Sequence, residues 1–419
     1  MLTAAPPRPA RGARRLEVST ARLRQLGTTA PDAYTAGLLL TARHSKRLLL
    51  LRGILDALPR GGESHDHWAL LEEAERTAPG AVHTVLHHPT IGTWAEETLR
   101  RLHAPRSEAP TDLAHFGALA ASAALSAGLD FTLLLRTGGR LLTLPALGAL
   151  RRDRPGALTV TGTSWRQPPE GTEALPLHRI ADPAVVLDDL DPYRTPRPSA
   201  SLRPSRRLGP GGQARWDARL TGALAVLERV DPARAEEIRT LLSCVVPLAR
   251  TSPTAGATAP AAHGAVLLRP RPRGELAAAL VHEVQHGKLA ALSDLVRLHT
   301  ADPEPRHRVP WRPDPRPFEG VLQGAYAHLA LADWWARAAF AGVTGAWEAH
   351  IRYRQQVAAV LPDLVGSAHL TPAGREFTLA MAATERGFGP PGHAPKSRSR
   401  ITDQETTPER RHIHQALIR

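Results

Sequence analysis

Leu280-Val281-His282-Glu283-Val284-Gln285-His286-Gly287-Lys288-Leu289 is the stretch whose reading decides this chain. It holds no proline and is preceded by apolar Leu276 and Ala279, so residues 275–296 are predicted to form one helix. Positions i and i+4 of a helix share a face about 5–6 Å apart, so the imidazoles of His282 and His286 can reach one metal ion. Glu283 stands beside them, where a carboxylate can take a proton from a metal-bound water or orient a ligand. The chain has 20 histidines, yet composition alone supplies such a match only ~0.05 times per chain. The apolar approach and the short run 264–268, read as a strand, favour a metal site over a solvated helix face.

A third ligand must come from another element. The helix predicted over 319–341 offers Glu319, Gln323, His328 and Asp333. Gly320, Gly324 and His328 recur on one face, and two glycines are expected to let that helix press close to the motif helix with His328 aimed at the ion. His328 is the first candidate and Glu319 the second. Ahead of them, residues 301–317 contain six prolines and cannot be helical. This loop presents Arg312 and Arg316. A guanidinium grips a carboxylate through two parallel bonds, so the pair can hold an acidic co-substrate, or can instead clasp Asp314.

Further out, helices are predicted over 35–58, 67–102 with a break at His88-Pro89, 112–127, 212–229, 232–248 and 345–361. Residues 131–135 and 140–144, around Thr137-Gly138-Gly139, read as a β-hairpin. Cys244, among Leu241, Leu242, Val245 and Val246, is expected on an apolar helix as a core residue. Residues 188–194 read as a turn and packing feature. The Pro/Ser/Arg-rich segment 195–212 is the expected domain boundary. The division is a basic tail (1–29), a helical region with a hairpin (30–195), a zincin-like metal-binding catalytic region carrying the motif helix (212–385) and a second basic tail (386–419). The fold class is α+β, mainly helical.

Composition narrows the function. Of 419 residues, 42% are hydrophobic and 22% charged, which suffices for a buried core. One cysteine excludes a disulfide framework and a zinc ribbon. The net charge of +13 is concentrated at the ends: residues 1–27 carry +5 and residues 386–419 carry +4. Solvated tails explain it better than a nucleic-acid surface. No apolar segment reaches the ~20 residues of a membrane span, and no signal peptide is read, so a soluble cytoplasmic protein is expected.

The motif stretch, together with Pro310-Trp311-Arg312 through Arg316-Pro317 and Gly320-Val321-Leu322-Gln323-Gly324-Ala325-Tyr326-Ala327-His328, resembles the bacterial HExxH-motif peptide-modification proteins, the 2-oxoglutarate-dependent HExxH-type peptide β-hydroxylases. The likeness extends to His88-Pro89 with Trp94, Leu144-Pro145-Ala146-Leu147-Gly148 and Leu190-Asp191-Pro192-Tyr193-Arg194, and covers most of residues 30–360. The resemblance implies Fe(II) held by His282 and His286, with Glu283 in the site. It also implies 2-oxoglutarate and O₂ as co-substrates, and a ribosomally made precursor peptide as substrate, alongside companion peptide-modifying enzymes. Arg316 or Arg312 would then pair the far carboxylate of 2-oxoglutarate. From the motif alone a zincin-type zinc peptidase with Glu283 as general base would lead, but peptide hydrolysis does not require the Arg-rich loop. A third class is a metal-bearing protein that binds the precursor peptide without catalysis. An exposed edge at 264–268 would let a peptide add as a strand.

Overall fold

The computed structural model describes residues 16–104, 112–180, 185–196 and 201–388. The fold is mixed α/β and mainly helical, with twelve α-helices and several small sheets among those residues. No described helix is long and apolar enough to cross a membrane.

The motif helix runs Arg273–Leu295, starting directly after Pro272 with Glu275 in its first turn, where the helix dipole favours an acid. Its Leu276, Leu280, Val281 and Val284 join Val266 and Leu268 of the preceding strand Ala265–Leu268, and Leu220, Leu224 and Leu227 of helix Pro210–Val230, in one buried cluster. The strand therefore lies against the motif helix. Further along, Leu289 and Leu292 enter a second cluster with Leu322, Ala325 and Leu329 of helix Phe318–Phe340. Full burial of each such leucine is worth about 1.5–3 kcal/mol, so the motif helix is clamped over most of its length.

One five-stranded sheet sits beside it, in the order His178–Ile180, Val185–Leu187, Cys244–Pro247, Ala265–Leu268, Gly256–Ala257. Val185–Leu187, Cys244–Pro247 and Ala265–Leu268 run parallel and are buried throughout. Three expectations change here. Cys244 is a core residue, but on a strand: the helix stops at Leu241, and Val245-Val246, β-branched and buried on both faces, suits a parallel sheet. Residues 264–268 are not an exposed edge, because Gly256–Ala257 pairs outside Leu267 and Leu268. The expected boundary at 195–212 does not separate two cores, since Val186 and Leu187 pair across it with Cys244 and Val245.

The predicted hairpin is also replaced. Thr132–Thr137 pairs with Gly156–Thr161, while Leu141–Leu144 turns through Pro145-Ala146-Leu147, with Ala146 at a φ of 67°, to pair with Gly148–Arg152. Leu135, Leu158 and Val160 of one pair and Leu142, Leu144 and Leu150 of the other bury against Ala118 and Ala121 of helix Ala114–Ala127. Pairing across 138–139 loses to burying both strand pairs on one helix.

The basic arm ends earlier than expected. Thr20–Gly27 is a helix capped by Ser19, and its Leu23 and Leu26 are buried. The Tyr326 hydroxyl donates to the Leu26 carbonyl at 2.8 Å. A last helix, Pro372–Gly387, which the sequence reading did not mark, packs against it, with Phe377 fully buried. Residues 1–15 and 389–419 of the two expected tails lie outside the described residues.

Candidate metal centre

The motif helix brings its two histidines together. The Nε2 atoms of His282 and His286 lie 3.0 Å apart and their ring centres 4.6 Å apart. Nitrogens bound to one ion at ~2.1 Å sit ~3.0–3.4 Å from each other, so this pair is already spaced for a shared metal. Burial and the neighbouring His286, His328 and Arg271 hold His282 well below the ordinary histidine range. The ring therefore stays neutral, as a metal ligand must.

His286 is oriented from behind. Its Nδ1 donates to Gln323 Oε1 at 3.1 Å, and Gln323 Nε2 donates to Glu319 Oε1 at 2.8 Å. Glu319 Oε2 meets His299 Nε2 at 2.6 Å. This chain fixes the His286 tautomer with Nε2 free, the usual outer support of a ligating histidine. It also accounts for Glu319. Burial alone would raise its pKa, but His299 and Gln323 more than offset that and keep the carboxylate ionised at the far end of the relay.

His328, the other third-ligand candidate, is buried, with its ring centre 5.5 Å from that of His282. It lies between Trp311 at 4.7 Å and Tyr353 at 5.0 Å. Its Nδ1 is buried without a partner among the described residues, and burial with nearby His286 and Arg352 pushes its pKa down to about 3. It is thus a neutral imidazole with a spare nitrogen beside the pair. Its ligating nitrogen does not come within 4.8 Å of both motif histidines, so closing a three-ligand set requires His328 to turn toward them. The residues fit a metal in donor chemistry and in the spacing of two ligands.

Gly320 and Gly324 act differently from expectation. A Cβ on Gly320 would meet Arg316 and Pro317, and one on Gly324 would come 2.6 Å from the Trp311 indole. The glycines make room for the proline-rich loop, here the paired strands His307–Val309 and Arg312–Arg316, and not for the motif helix. Gly324→Ala should drive Trp311 off His328 and cost about 1–3 kcal/mol by overpacking. A shift in the tryptophan fluorescence of the folded variant, with a lowered urea midpoint, is the expected reading.

Glu283 is buried and turned toward the sheet. Thr258 Oγ1 donates to its Oε2 at 2.9 Å and to its backbone carbonyl at 3.0 Å, and its Oε1 lies against Gly256. Burial raises its pKa against the pull of His286, Thr258 and Arg271. Arg312 and Arg316 are exposed and half-buried respectively and both hold Asp314, at 3.1 and 3.4 Å, so the clasp is what forms. The guanidiniums that act on the centre are two the sequence reading passed over. Arg271 bears on His282, Glu283 and Tyr353, and Arg352 bears on His328 and lies over the Tyr353 ring. Lys288, two residues past the motif, points away and is paired with Glu237 at 2.6 Å.

Residues 188–194 form a buried network, as expected of a packing feature. Asp188 Oδ2 meets His88 Nε2 at 3.0 Å, and its Oδ1 accepts from the amides of Leu190 and Asp191. Asp191 accepts from Thr90 and from the Tyr193 amide. His88, Asp188 and Asp191 are close enough to hold an ion, but each carboxylate oxygen already has a donor.

No family model matches this chain, and no curated protein does either.

Proposed function

We propose that His282 and His286, with His328 as third ligand, hold Fe(II), and that the protein is a 2-oxoglutarate-dependent hydroxylase acting on the β-carbon of a residue in a ribosomally made precursor peptide. The observation that carries the metal is the pair of Nε2 atoms 3.0 Å apart on a helix clamped by two cores. The resemblance of the motif and its flanks carries the choice of iron and 2-oxoglutarate. With both bound, the centre supplies a two-electron oxidation by O₂ that places one oxygen atom on a C–H bond and converts 2-oxoglutarate to succinate and CO₂.

The chain's own residues divide the remaining work. Gln323, backed by Glu319, holds His286 in the ligating tautomer. Trp311 and Tyr353 wall off His328. Arg316 can pair the far carboxylate of 2-oxoglutarate only by releasing Asp314, and Arg271, whose charge bears on both His282 and Glu283, is the other candidate for that pairing. Gly256–Ala257, the outermost strand of the sheet and beside Glu283, is where an extended peptide adds in a zincin-like manner. The site of action is the cytoplasm, with the precursor peptide and its companion modifying enzymes as partners, and neither nucleic acid nor membrane.

A zinc peptidase is the second reading, favoured by one feature: Glu283 is a buried carboxyl with a raised pKa beside the metal pair, the character of a general base. Co-expression with the precursor peptide and mass spectrometry separates the two. One added oxygen atom that depends on iron and 2-oxoglutarate supports the hydroxylase, with Glu283→Gln keeping partial activity and the larger rise in the KM for 2-oxoglutarate, in Arg271→Ala or in Arg316→Ala, marking the residue that pairs it. Backbone cleavage with zinc alone, abolished by Glu283→Gln, supports the peptidase. Peptide binding without either product leaves a recognition protein.

A further inference from the structure

Away from the motif, helix Ala33–Asp56 and helix Pro79–Leu86 face each other with three histidines between them. His83 and His87 stand at i and i+4, the second as the helix cap, and His44 comes from the opposite helix. Their ring centres lie 3.9 Å (His83–His87), 4.8 Å (His44–His83) and 5.2 Å (His44–His87) apart. One ligating nitrogen from each falls within 4.8 Å of the other two.

We propose that His44, His83 and His87 form a second metal site, independent of the motif, which takes a nitrogen-preferring divalent ion of the zinc class and ties these two helices together. Three imidazoles without a carboxylate suit zinc, copper or nickel and do not suit magnesium or calcium, which demand oxygen ligands. His44 Nδ1 and His87 Nε2 are both buried and have no partner among the described residues. A buried ring nitrogen without a partner is costly, and an ion between them satisfies both. His83 is exposed, which gives the ion an entry path and leaves water a fourth position.

Arg43 and Arg47 are the opposing force. Both are buried on the same helix, and with burial they push His87 down to about 2. The same field that repels a proton repels a dication. It is softened because Arg43 donates to the carbonyl of Leu241, the last residue of helix Pro232–Leu241, and Arg47 to that of Leu86, the last residue of helix Pro79–Leu86. Those helix ends carry partial negative charge. Metal on His87 Nε2 places its proton on Nδ1 and gives up the Arg43 contact there, which at 3.4 Å is a marginal bond. Burial meanwhile holds His44 and His87 below the ordinary histidine range, so protons compete little for their lone pairs.

The test is zinc titration of the full-length chain by calorimetry. In the His282→Ala/His286→Ala protein, where the motif is silenced, one equivalent of Zn(II) should still bind and the melting temperature should rise with zinc. Adding His83→Ala, an exposed position whose loss leaves the fold intact, should weaken that binding beyond the ~10–100-fold typical of losing an outer-sphere partner. In otherwise unaltered protein, His83→Ala should lower the zinc count by one, as should His44→Ala. A motif-silenced protein that binds no zinc, or a zinc count unmoved by His83→Ala and His44→Ala, overturns the proposal.

Discussion

His282→Ala and His286→Ala should each strip iron from protein loaded anaerobically, leaving the fold in place. A structural zinc set is worth about 10–16 kcal/mol over its ligands, or ~3–4 kcal/mol for each, which is a loss of ~10²–10³ in affinity. Among the described residues the hydrogen-bond partner of the His282 ring is His286, so its removal breaks no bond to the surrounding framework there. His286→Ala also frees Gln323 from its acceptor role, so the effect there should be at least as large. His328→Ala should weaken iron severely, and Gln323→Leu more mildly, because that residue acts only through His286. Iron content by elemental analysis, with circular dichroism as the control for folding, reads all four. Full retention of iron by His328→Ala would hand the third position to Glu319, which would first have to leave His299 and Gln323.

The parts of this centre that local spacing determines were legible in the sequence. Helical periodicity places His282 and His286 on one face, and the structure sets them there. The prolines of 301–317 exclude a helix, and a short strand pair forms. What failed depends on contacts between distant segments. Leu241, Leu242, Val245 and Val246 form an apolar run that periodicity alone cannot assign; only the parallel partners Val185–Leu187 and Ala265–Leu268 make Cys244–Pro247 a strand. Gly320 and Gly324 announced a close approach without saying of what, and the neighbours are Arg316 and Pro317 for the first and Trp311 for the second. Arg312 and Arg316 stood out because they cluster in sequence, and that same cluster supplies Asp314, which engages them. Arg271 and Arg352 carry no local pattern at all and reach the centre only through the fold. The trio His44, His83 and His87 was invisible for the same reason, since one member lies on a different helix from the other two.

Lys288 carries the second large effect, on stability and not on chemistry. It follows the motif so closely that a role at the metal is the natural guess. Its ammonium instead bonds Glu237 at 2.6 Å, and both side chains are 2% exposed. Arg234, fully buried, bonds the other Glu237 oxygen at 3.1 Å and also the Thr29 carbonyl, so one carboxylate answers two buried cations and ties the motif helix to helix Pro232–Leu241. Burial alone would raise the Glu237 pKa, but Lys288 and Arg234 outweigh it and hold the carboxylate ionised. Removing one partner of a buried pair typically costs about 3–5 kcal/mol, because the other charge stays behind in a medium that solvates it poorly. Glu237→Ala strands the Lys288 ammonium, while Arg234 keeps Asp333 at 3.6 Å and Asp231 at 4.0 Å, so the loss should sit near the top of that range, a large part of the stability of an ordinary domain. Lys288→Met leaves Glu237 its bond to Arg234, so its loss should fall at the lower end. The double variant Lys288→Met/Glu237→Leu removes two opposite charges together and should be less damaging than the sum of the single changes. Urea midpoints measure all three, and folded Lys288→Met protein should bind iron as the unaltered chain does. A midpoint unmoved by Lys288→Met would mean that water reaches this pair and that the motif helix is held by its apolar contacts alone.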